Sequence, residues 1–193
     1  MARKRLEVHP LTPSRWRDLA RLFGERGACG GCWCMWWRLT GGGFSRGKGA
    51  GNRAAFRRIV GKGPPPGLLA YVDGAPVGWC ALAPRADYPR LEHSRVLKPI
   101  DDRPVWSVTC FFVARPHRGA GVTVRLLRAA ADHARKHGAR ILEGYPTDTH
   151  GRRSADVWVY TGLLPAFEKA GFREAARRSR SRPIMRRRLS GRS

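Results

Sequence analysis

The residues best placed for chemistry lie at one junction near the middle of the chain, in the stretch FFVARPHRGAGVTVRLL (residues 111–127). An apolar run ends at Val113, basic residues and glycines follow, and an amphipathic run begins near Gly121. The first N–H groups of a helix lack helical partners and carry partial positive charge, so this junction can bind an anion. Gly119 allows a ligand to approach the backbone closely, and Arg118 adds a cationic donor. So many donors favour a diphosphate over a carboxylate.

The glycine spacing departs from the two common nucleotide-binding motifs. A dinucleotide-binding fingerprint requires a third glycine where Val124 stands. The segment GGFSRGKG (residues 42–49) approaches a P-loop but has Gly49 where a serine or threonine would bind magnesium. From spacing alone, the junction is therefore either an anion site or a plain basic turn between a strand and a helix.

The elements that position the junction are predicted from hydrophobic periodicity and breaker residues. The run before the junction is apolar nearly throughout, as a strand buried on both faces should be. The run after it is amphipathic and ends near Gly138, which is a typical helix stop. The predicted order is a strand (104–114), a helix (121–139), a short strand (140–146), a short helix (163–171) and two final strands (172–181 and 182–189).

The first half of the chain supplies the remaining elements. Helices are predicted over residues 11–27 and 52–63, the second with Asn52 as its N-cap. The Asp-Gly pair at 73–74 separates two apolar runs, which predicts a β-hairpin. Residues 84–104 have the composition of a polar insertion with little regular structure. A mixed sheet with helices on both faces is the simplest arrangement of these elements.

Two motifs carry a resemblance to a known family. VARPHRGAGVTVRLL resembles the acyl-CoA-binding signature of the GCN5-related N-acetyltransferases (GNAT), Arg/Gln-x-x-Gly-x-Gly/Ala. Arg118, Gly121 and Thr123 fill its defined positions, and Thr123 departs from the usual small residue. LLPAFEKAGF resembles a later motif of the family, in which a helix ends in Lys-x-Gly-Phe. The resemblance covers residues 67–189 in order, and a pair of motifs at this distance is more specific than either alone.

The resemblance implies a fold and an activity. The fold would be one α/β domain, residues 1–193, with a central, mostly antiparallel sheet flanked by helices. Residues 1–66 would supply N-terminal helices and the acceptor-side region, and residues 67–189 the acyl-CoA-binding core. The activity would be acetyl-CoA-dependent N-acetylation of a small-molecule amine, which attacks the thioester directly. Acetyl-CoA is then the donor substrate, and no metal is expected.

The resemblance also implies which residues bind the donor. The strand before the loop would hydrogen-bond the pantetheine arm, and the loop would hold the pyrophosphate. The acyl group would lie where that strand and RILEGYP splay apart, and a backbone N–H of the first strand would stabilise the oxyanion. The implied donor-binding residues are Cys110, Phe111, Phe112, Val113, Arg118, Gly119, Ala120, Gly121, Val122 and Thr123.

The catalytic residues are the least specified part of the resemblance. Many family members have a tyrosine in the later helix that protonates the leaving thiolate, but this chain has Phe167, which has no proton to donate. Either Tyr160 takes that role or the thiolate leaves unassisted. Glu143 is the candidate general base, directly or through water. The alternative is that Glu143 is a solvated carboxylate at the end of a strand.

A cluster of cysteine and tryptophan, GACGGCWCMWWR (residues 27–38), precedes these motifs. Cys29 and Cys32 have the spacing of half a zinc site, but no second Cys-x-x-Cys completes it. We expect Cys29, Cys32 and Cys34 to remain thiols. The cluster is expected first to pack between the first helices and the sheet, and second to form an acceptor wall of three rings, Trp33, Trp36 and Trp37.

Net charge supports a second hypothesis. The 193 residues carry a formal charge of +24, which attracts polyanions as well as anionic small molecules. The alternative function is a transferase of the same fold that uses aminoacyl-tRNA, or another RNA-linked group, as donor or acceptor. Arginines in residues 177–188 would then contact RNA phosphates. No helix-turn-helix, zinc-finger or RRM signature supports sequence-specific reading.

The sequence also indicates where the protein is located and in which state its cysteines are expected. The start MARKR is not followed by an apolar signal segment, and no stretch is long enough to span a bilayer. We therefore expect a cytoplasmic protein without membrane contact. Five cysteines is an odd number, which argues against a framework made only of disulfides. Monomer and homodimer remain open.

Overall fold

A computed structural model describes residues 5–152 and 159–189, and within these ranges seven strands form one mixed sheet. In chain order the strands are β1 Leu6–Pro10, β2 Gly67–Val72, β3 Ala75–Pro84, β4 Trp106–Val113, β5 Ile141–Gly144, β6 Arg173–Arg177 and β7 Pro183–Arg188. They lie in the order β1-β2-β3-β4-β5-β7-β6. The β4–β5 pair is parallel and its neighbours in the sheet pair antiparallel, so the predicted mostly antiparallel sheet is confirmed.

Six α-helices lie in the described ranges and flank this sheet. They are α1 Trp16–Phe23, α2 Gly43–Arg46, α3 Ala50–Lys62, α4 Pro89–Glu92, α5 Val122–Lys136 and α6 Leu164–Lys169. α5 and α6 belong to one face, where Val108 and Leu126 are in the same buried cluster. α1 and α3 belong to the other face, where Phe56 and Trp79 are in a second buried cluster. The predicted single domain with helices on both faces is confirmed.

The predicted hairpin is confirmed. Val72 pairs with Ala75 across the turn, and Asp73 and Gly74 both have positive φ angles, +50° and +78°. Positive φ at both central residues is the conformation that Asp-Gly favours, and its twist matches the strands. The turn thus fixes the register of β2 and β3, and β3 lies beside β4, the strand that leads into the junction.

One prediction for the first 66 residues is wrong, and one strand was not predicted. Residues 6–10 form β1, which pairs with β2 at the sheet edge. Asn52 is not an N-cap, because α3 begins at Ala50 and Asn52 is buried inside it. The Asn52 side chain instead donates to the carbonyls of Gly31 and Phe44, each at 3.2 Å, and ties α3 to the loop before it.

Residues 84–104 have little regular structure, as predicted, because α4 and a short turn at 85–87 are the main regular pieces described there. The segment is not simply polar, however, since Tyr88, Leu91 and Leu97 are buried in a third apolar cluster together with Tyr145. Its polar composition reflects one exposed side of a segment whose other side covers the sheet. No described helix is both long and apolar enough to cross a membrane.

Candidate functional site

An opening in the sheet lies between β4 and β5. The two strands pair over only three positions, the last of which is Val108 with Gly144. β5 ends there, whereas β4 continues to Val113 and stays paired with β3 on its other edge. A register shift leaves Thr109 as an extra residue in β4, and such bulges bend a strand. One backbone edge of β4 is therefore without a strand partner beyond Val108.

The glycine junction lies at the end of this open strand. Gly119 and Gly121 have positive φ angles, +75° and +78°, and a Cβ at either position would meet no atom within 4 Å. Gly121 directly precedes the first turn of α5. Within the described residues, the N–H groups from Gly119 to Val124 make no hydrogen bond to a protein acceptor. Gly119 and Gly121, which carry two of these donors, are exposed, as the anion-site prediction requires.

Close packing holds the start of α5 in this position. Val122 is buried, and its side chain lies where a Cβ on Gly78 of β3 would be only 2.8 Å away. Glycine at 78 therefore lets the helix approach the strand. Arg118 spans the turn, because its Nε donates to the carbonyl of Val113 at 2.9 Å.

The chain's own backbone occupies part of the opening. The N–H of Phe111 on the open edge of β4 donates to the carbonyl of Tyr160 at 2.6 Å. The N–H of Thr147 donates to the carbonyl of Gly162 at 2.8 Å, and the N–H of Leu164 donates back to Thr147 at 3.1 Å. Residues 160–164 therefore connect the end of β5 with the open edge of β4.

A buried charge network lies beside the opening, centred on Glu143 of β5. Glu143 is 1% exposed. Its Oε1 accepts from Arg85 at 2.8 Å and from the hydroxyl of Tyr145 at 2.7 Å. Its Oε2 accepts from Nε of Arg186 at 2.6 Å. The alternative of a solvated carboxylate at a strand end is therefore wrong.

The two arginine partners are themselves fixed. Arg186 donates to both carboxylate oxygens of Asp101, at 2.7 and 3.1 Å, and these bonds hold the pKa of Asp101 well below its ordinary value. Arg85 also bonds Glu92 at 2.9 Å and the carbonyl of Leu97 at 2.8 Å. The network thus joins β5 and β7 to the segment 84–104.

Comparison with known families shows which family this chain belongs to. Residues 33–158 match the model of the Acetyltransferase (GNAT) family, which is more than half of the chain. The chain belongs to the GNAT acetyltransferase family. No curated protein sequence matches it significantly.

Solved structures agree with this GNAT assignment at the level of fold. A putative arylalkylamine N-acetyltransferase 7 from the yellow fever mosquito has a TM-score of 0.59 at 13% identity, covering 96% of this chain and 88% of that one. An N-acetyltransferase from Staphylococcus aureus Mu50 has a TM-score of 0.56 at 11% identity, covering 96% and 99%. The putative acetyltransferase yncA from Salmonella typhimurium, solved with its cofactor acetyl-CoA, has a TM-score of 0.53 at 14% identity, covering 96% and 94%.

Tyr160, the candidate acid of this GNAT chain, lies at the opening, where its carbonyl accepts from the N–H of Phe111. Its ring centroid is 6.5 Å from that of Trp37. Burial raises the pKa of Tyr160 well above its ordinary value, the Cys110 thiol raises it further, and the guanidinium of Arg182 lowers it. The hydroxyl therefore keeps its proton at neutral pH, as a proton donor must, but its catalytic role stays a prediction.

The role of Glu143 as a general base stays a prediction. Both of its oxygens already accept hydrogen bonds from cations or a hydroxyl. To take a proton from an acceptor amine, Glu143 would have to exchange one of these partners for water. The geometry supports a positioning role more directly, because the network fixes β5 beside the opening.

The three tryptophans of the predicted acceptor wall lie in different environments. Trp33 is 4% exposed and stacks on Trp16 at 5.8 Å between α1 and the sheet, so it is a core residue. Trp37 is buried against Tyr160, and Trp36 is 38% exposed. The structure therefore brings Trp37 to the opening and separates Trp33 from it.

The cysteines lie as free thiols in the described ranges, and no group of three or more metal-ligating side chains is found there. Cys34 is buried beneath Trp79, whose indole N–H points at its sulfur at 2.9 Å. The Cys34 and Cys110 sulfurs are 3.8 Å apart. Burial raises the pKa of Cys32 to about 11 and that of Cys80 well above its ordinary value, so neither is a ready thiolate.

Sequence reasoning missed the role of the arginines at this site. Arg85 and Arg90 were not singled out, and Arg182 and Arg186 were considered only as possible RNA contacts within residues 177–188. The partners of these arginines lie far away along the chain, and no local spacing marks them. The one available signal was the apolar residues Tyr88, Leu91 and Leu97 interleaved with the charges of the 84–104 segment.

Proposed function

We propose that this GNAT protein binds acetyl-CoA at the β4–α5 junction and transfers the acetyl group to the amine of a small-molecule acceptor. The observation that carries the proposal is the set of unbonded N–H groups from Gly119 to Val124, at the end of a strand whose edge has no strand partner beyond Val108. Helix N-termini with accessible glycine backbone bind phosphates by these donors. The Salmonella structure of the same fold holds acetyl-CoA as its cofactor.

The pantetheine arm would lie along the open edge of β4. There it would compete with the carbonyl of Tyr160 for the N–H of Phe111. If the thioester oxygen takes that N–H, the same hydrogen bond stabilises the negative charge that develops on it during attack. Donor binding is therefore expected to displace residues 160–162 from β4.

The chemistry is direct acyl transfer. The lone pair of a neutral amine forms a C–N bond with the thioester carbonyl, the C–S bond breaks, and CoA leaves as a thiolate. The amine loses one proton and the thiolate gains one, so the products are an N-acetyl amide and CoA-SH. Tyr160 is the candidate donor of the thiolate proton, because it is protonated at neutral pH and lies beside the edge of β4 along which the pantetheine arm would bind.

The RNA-linked alternative is supported by net charge alone. A positive field attracts a nucleotide cofactor as readily as a nucleic acid. RNA that co-purifies with the protein, seen as a high ratio of absorbance at 260 nm to that at 280 nm, would favour the alternative.

Thermal unfolding with matched donors tests the proposal. Acetyl-CoA at a hundred times its Kd stabilises the folded state by about 2.7 kcal/mol, because it binds that state alone. S-acetylpantetheine, which lacks the diphosphate, is expected to stabilise far less. Equal effects of the two ligands would remove the junction from the donor site, and no effect of acetyl-CoA would contradict the proposed function.

A further inference from the structure

Two arginines lie near Tyr160 at the opening. Arg182 donates to the hydroxyl of Thr161, the next residue in the chain, at 2.8 Å. The Tyr160 ring lies beside Trp37, and the backbone N–H of Arg90 donates to the carbonyl of Trp37 at 3.3 Å. The two cations and the aromatic pair therefore belong to one locality, next to the β4 edge where Phe111 contacts Tyr160.

Arg90 is held in a fixed orientation. Its guanidinium donates twice to the carbonyl of Leu39, at 3.1 and 2.9 Å, and lies 3.8 Å from the centroid of the Trp36 ring. Arg90 is half-buried. A guanidinium stacked on a ring and bonded to a carbonyl has little freedom, so its remaining donors point in a set direction.

Arg182 is held by a different contact. Its Nη1 donates to the hydroxyl of Thr161 at 2.8 Å, next to Tyr160 in the chain. Arg182 is also half-buried. Its guanidinium has five N–H donors, and this single bond leaves most of them available.

Neither arginine has a carboxylate partner among residues 5–152 and 159–189. The other arginines near the site do: Arg85 pairs with Glu143, Arg186 with Asp101, and Arg38 with Asp87. Removing a cation from water without an opposite charge is costly, so paired arginines are the expected arrangement. Two half-buried arginines without a counter-ion are suited to an anionic ligand that supplies it.

We infer that Arg90 and Arg182 select acceptors whose amine is accompanied by an anionic group, a carboxylate or a phosphate monoester. The planar fork of arginine binds both groups through paired hydrogen bonds. The anion would lie against the two guanidiniums, which directs the amine towards the β4 edge. This inference rests on the proposed acetyl transfer and adds the chemical class of its acceptor.

Matched amines test the inference through kcat/KM for CoA release. One arm compares phenylalanine with phenethylamine, which lacks the carboxylate, and a second compares O-phosphoethanolamine with ethanolamine. The protein is expected to prefer the anionic member of at least one pair, and the preferred pair identifies carboxylate or phosphate. No turnover of an anionic amine, or preference for the neutral member in both pairs, would overturn the inference.

Variants show whether the arginines cause the preference. Arg182→Gln is expected to reduce kcat/KM for the anionic member by about tenfold, mostly through KM, because a charge-assisted hydrogen bond is lost. Arg182→Glu is expected to abolish the preference. Arg90→Gln tests the second cation, and Arg90→Lys keeps the charge if the glutamine variant fails to fold. Arg58→Gln is the control, since Arg58 is exposed on α3 away from this site.

The readouts separate the two proposals. Stabilisation by acetyl-CoA reports donor binding and does not depend on the acceptor. If acetyl-CoA has no effect, the proposed function fails. If acetyl-CoA binds but Arg182→Gln and Arg90→Gln keep the wild-type preference, the inference about the acceptor fails alone.

Discussion

Glu143 illustrates at the scale of single residues how buried charge is held beside the opening. It is 1% exposed and accepts from two arginines. Glu143→Gln keeps the size but removes the charge, leaving Arg85 and Arg186 with less compensation. We expect a loss of about 3 kcal/mol in the free energy of unfolding, since breaking a buried ion pair costs on this scale.

Urea denaturation measures this loss. The matched control is Glu174→Gln, because Glu174 pairs with Arg177 at an exposed position and such pairs contribute little. Equal losses in the two variants would show that the Glu143 network does not stabilise the fold. The pH dependence of turnover in Glu143→Gln then distinguishes a base from a positioning residue, since only loss of a base removes the acidic limb of the profile.

Phe167 is the second residue whose environment decides the effect of a substitution. It is fully buried, and its ring lies where a Cβ on Gly144 or Gly162 would collide with it. Phe167→Tyr would bury a hydroxyl in an apolar cluster, which costs about 1–3 kcal/mol when no partner is found.

Thermal unfolding of Phe167→Tyr checks this expectation, with Phe44→Tyr as a control at a half-buried ring. An unchanged stability together with faster acetyl transfer would contradict it. That result would mean that the new hydroxyl reaches the leaving thiolate, as the tyrosine at this position does in many family members.

The contact of α5 with β3 determines where the junction lies at the scale of elements. Gly78 is the position of closest approach, because a Cβ there would be 2.8 Å from Val122 and 3.3 Å from Leu126. Gly78→Ala must therefore push the helix off the strand. We expect a loss of about 1–3 kcal/mol in stability, the usual effect of overpacking, and weaker binding of acetyl-CoA.

Gly61→Ala is the control for Gly78→Ala, because it is expected to raise stability and not to lower it. Gly61 lies inside α3 with open space around it, and alanine there favours the helix by about 0.5–1 kcal/mol. Denaturant titration of both variants distinguishes a steric effect from a general effect of removing glycine. A stabilising Gly78→Ala would contradict the close approach.

Local signals determined which elements could be predicted. The hairpin at 73–74, β4 and α5 were predicted because turn chemistry and periodicity are encoded in neighbouring residues. β1 was missed, since its five half-buried residues acquire their role only by pairing with β2. Asn52 was assigned to the wrong role because its two acceptors, on Gly31 and Phe44, lie in other parts of the chain.

The same distinction holds for the candidate site. The glycine junction lies within a few consecutive residues, so its position at the end of an open strand was predictable. The charge network brings together residues far apart in sequence, since Arg85 and Arg186 both bond Glu143. No spacing in the sequence predicts such contacts.

Stability of the whole molecule is expected to depend on pH through His133 of α5. His133 is half-buried, and its ring lies 4.2 Å from that of His137 and 6.1 Å from that of Trp106. Burial, followed by the charges of His137 and Lys136, lowers the pKa of His133 from 6.5 to about 4. Between these values the unfolded chain binds a proton that the folded chain does not, so stability falls as pH decreases from about 6.5 to about 4.

His133→Leu is expected to remove this component of the acid sensitivity. The variant should gain about 2–3 kcal/mol over the wild type as pH is lowered across that window. His93→Gln, at an exposed position, is expected to leave the profile unchanged. Urea midpoints measured from pH 4 to pH 7 check this, and parallel profiles for wild type and His133→Leu would contradict the lowered pKa.

Net charge gives the molecule a preference for anions without specifying which anion. The charge of +24 would attract both the proposed diphosphate donor and the proposed anionic acceptor. Specific binding would then depend on geometry, namely on the unbonded N–H groups of the junction for the donor and on Arg90 and Arg182 for the acceptor.

The central claim is that the junction before α5 binds the diphosphate of acetyl-CoA. Calorimetric measurement of the acetyl-CoA affinity of Gly121→Val, with Gly138→Val as the control, tests this claim most directly. The two glycines lie at opposite ends of α5, both have positive φ, +78° and +82°, and both have open space for a side chain. Each variant should lose about 1–2 kcal/mol of stability from left-handed backbone strain. Only Gly121→Val is expected to weaken binding, by at least about tenfold, since it alone alters the N–H donors of the junction. A wild-type Kd in Gly121→Val would show that the donor's diphosphate binds elsewhere.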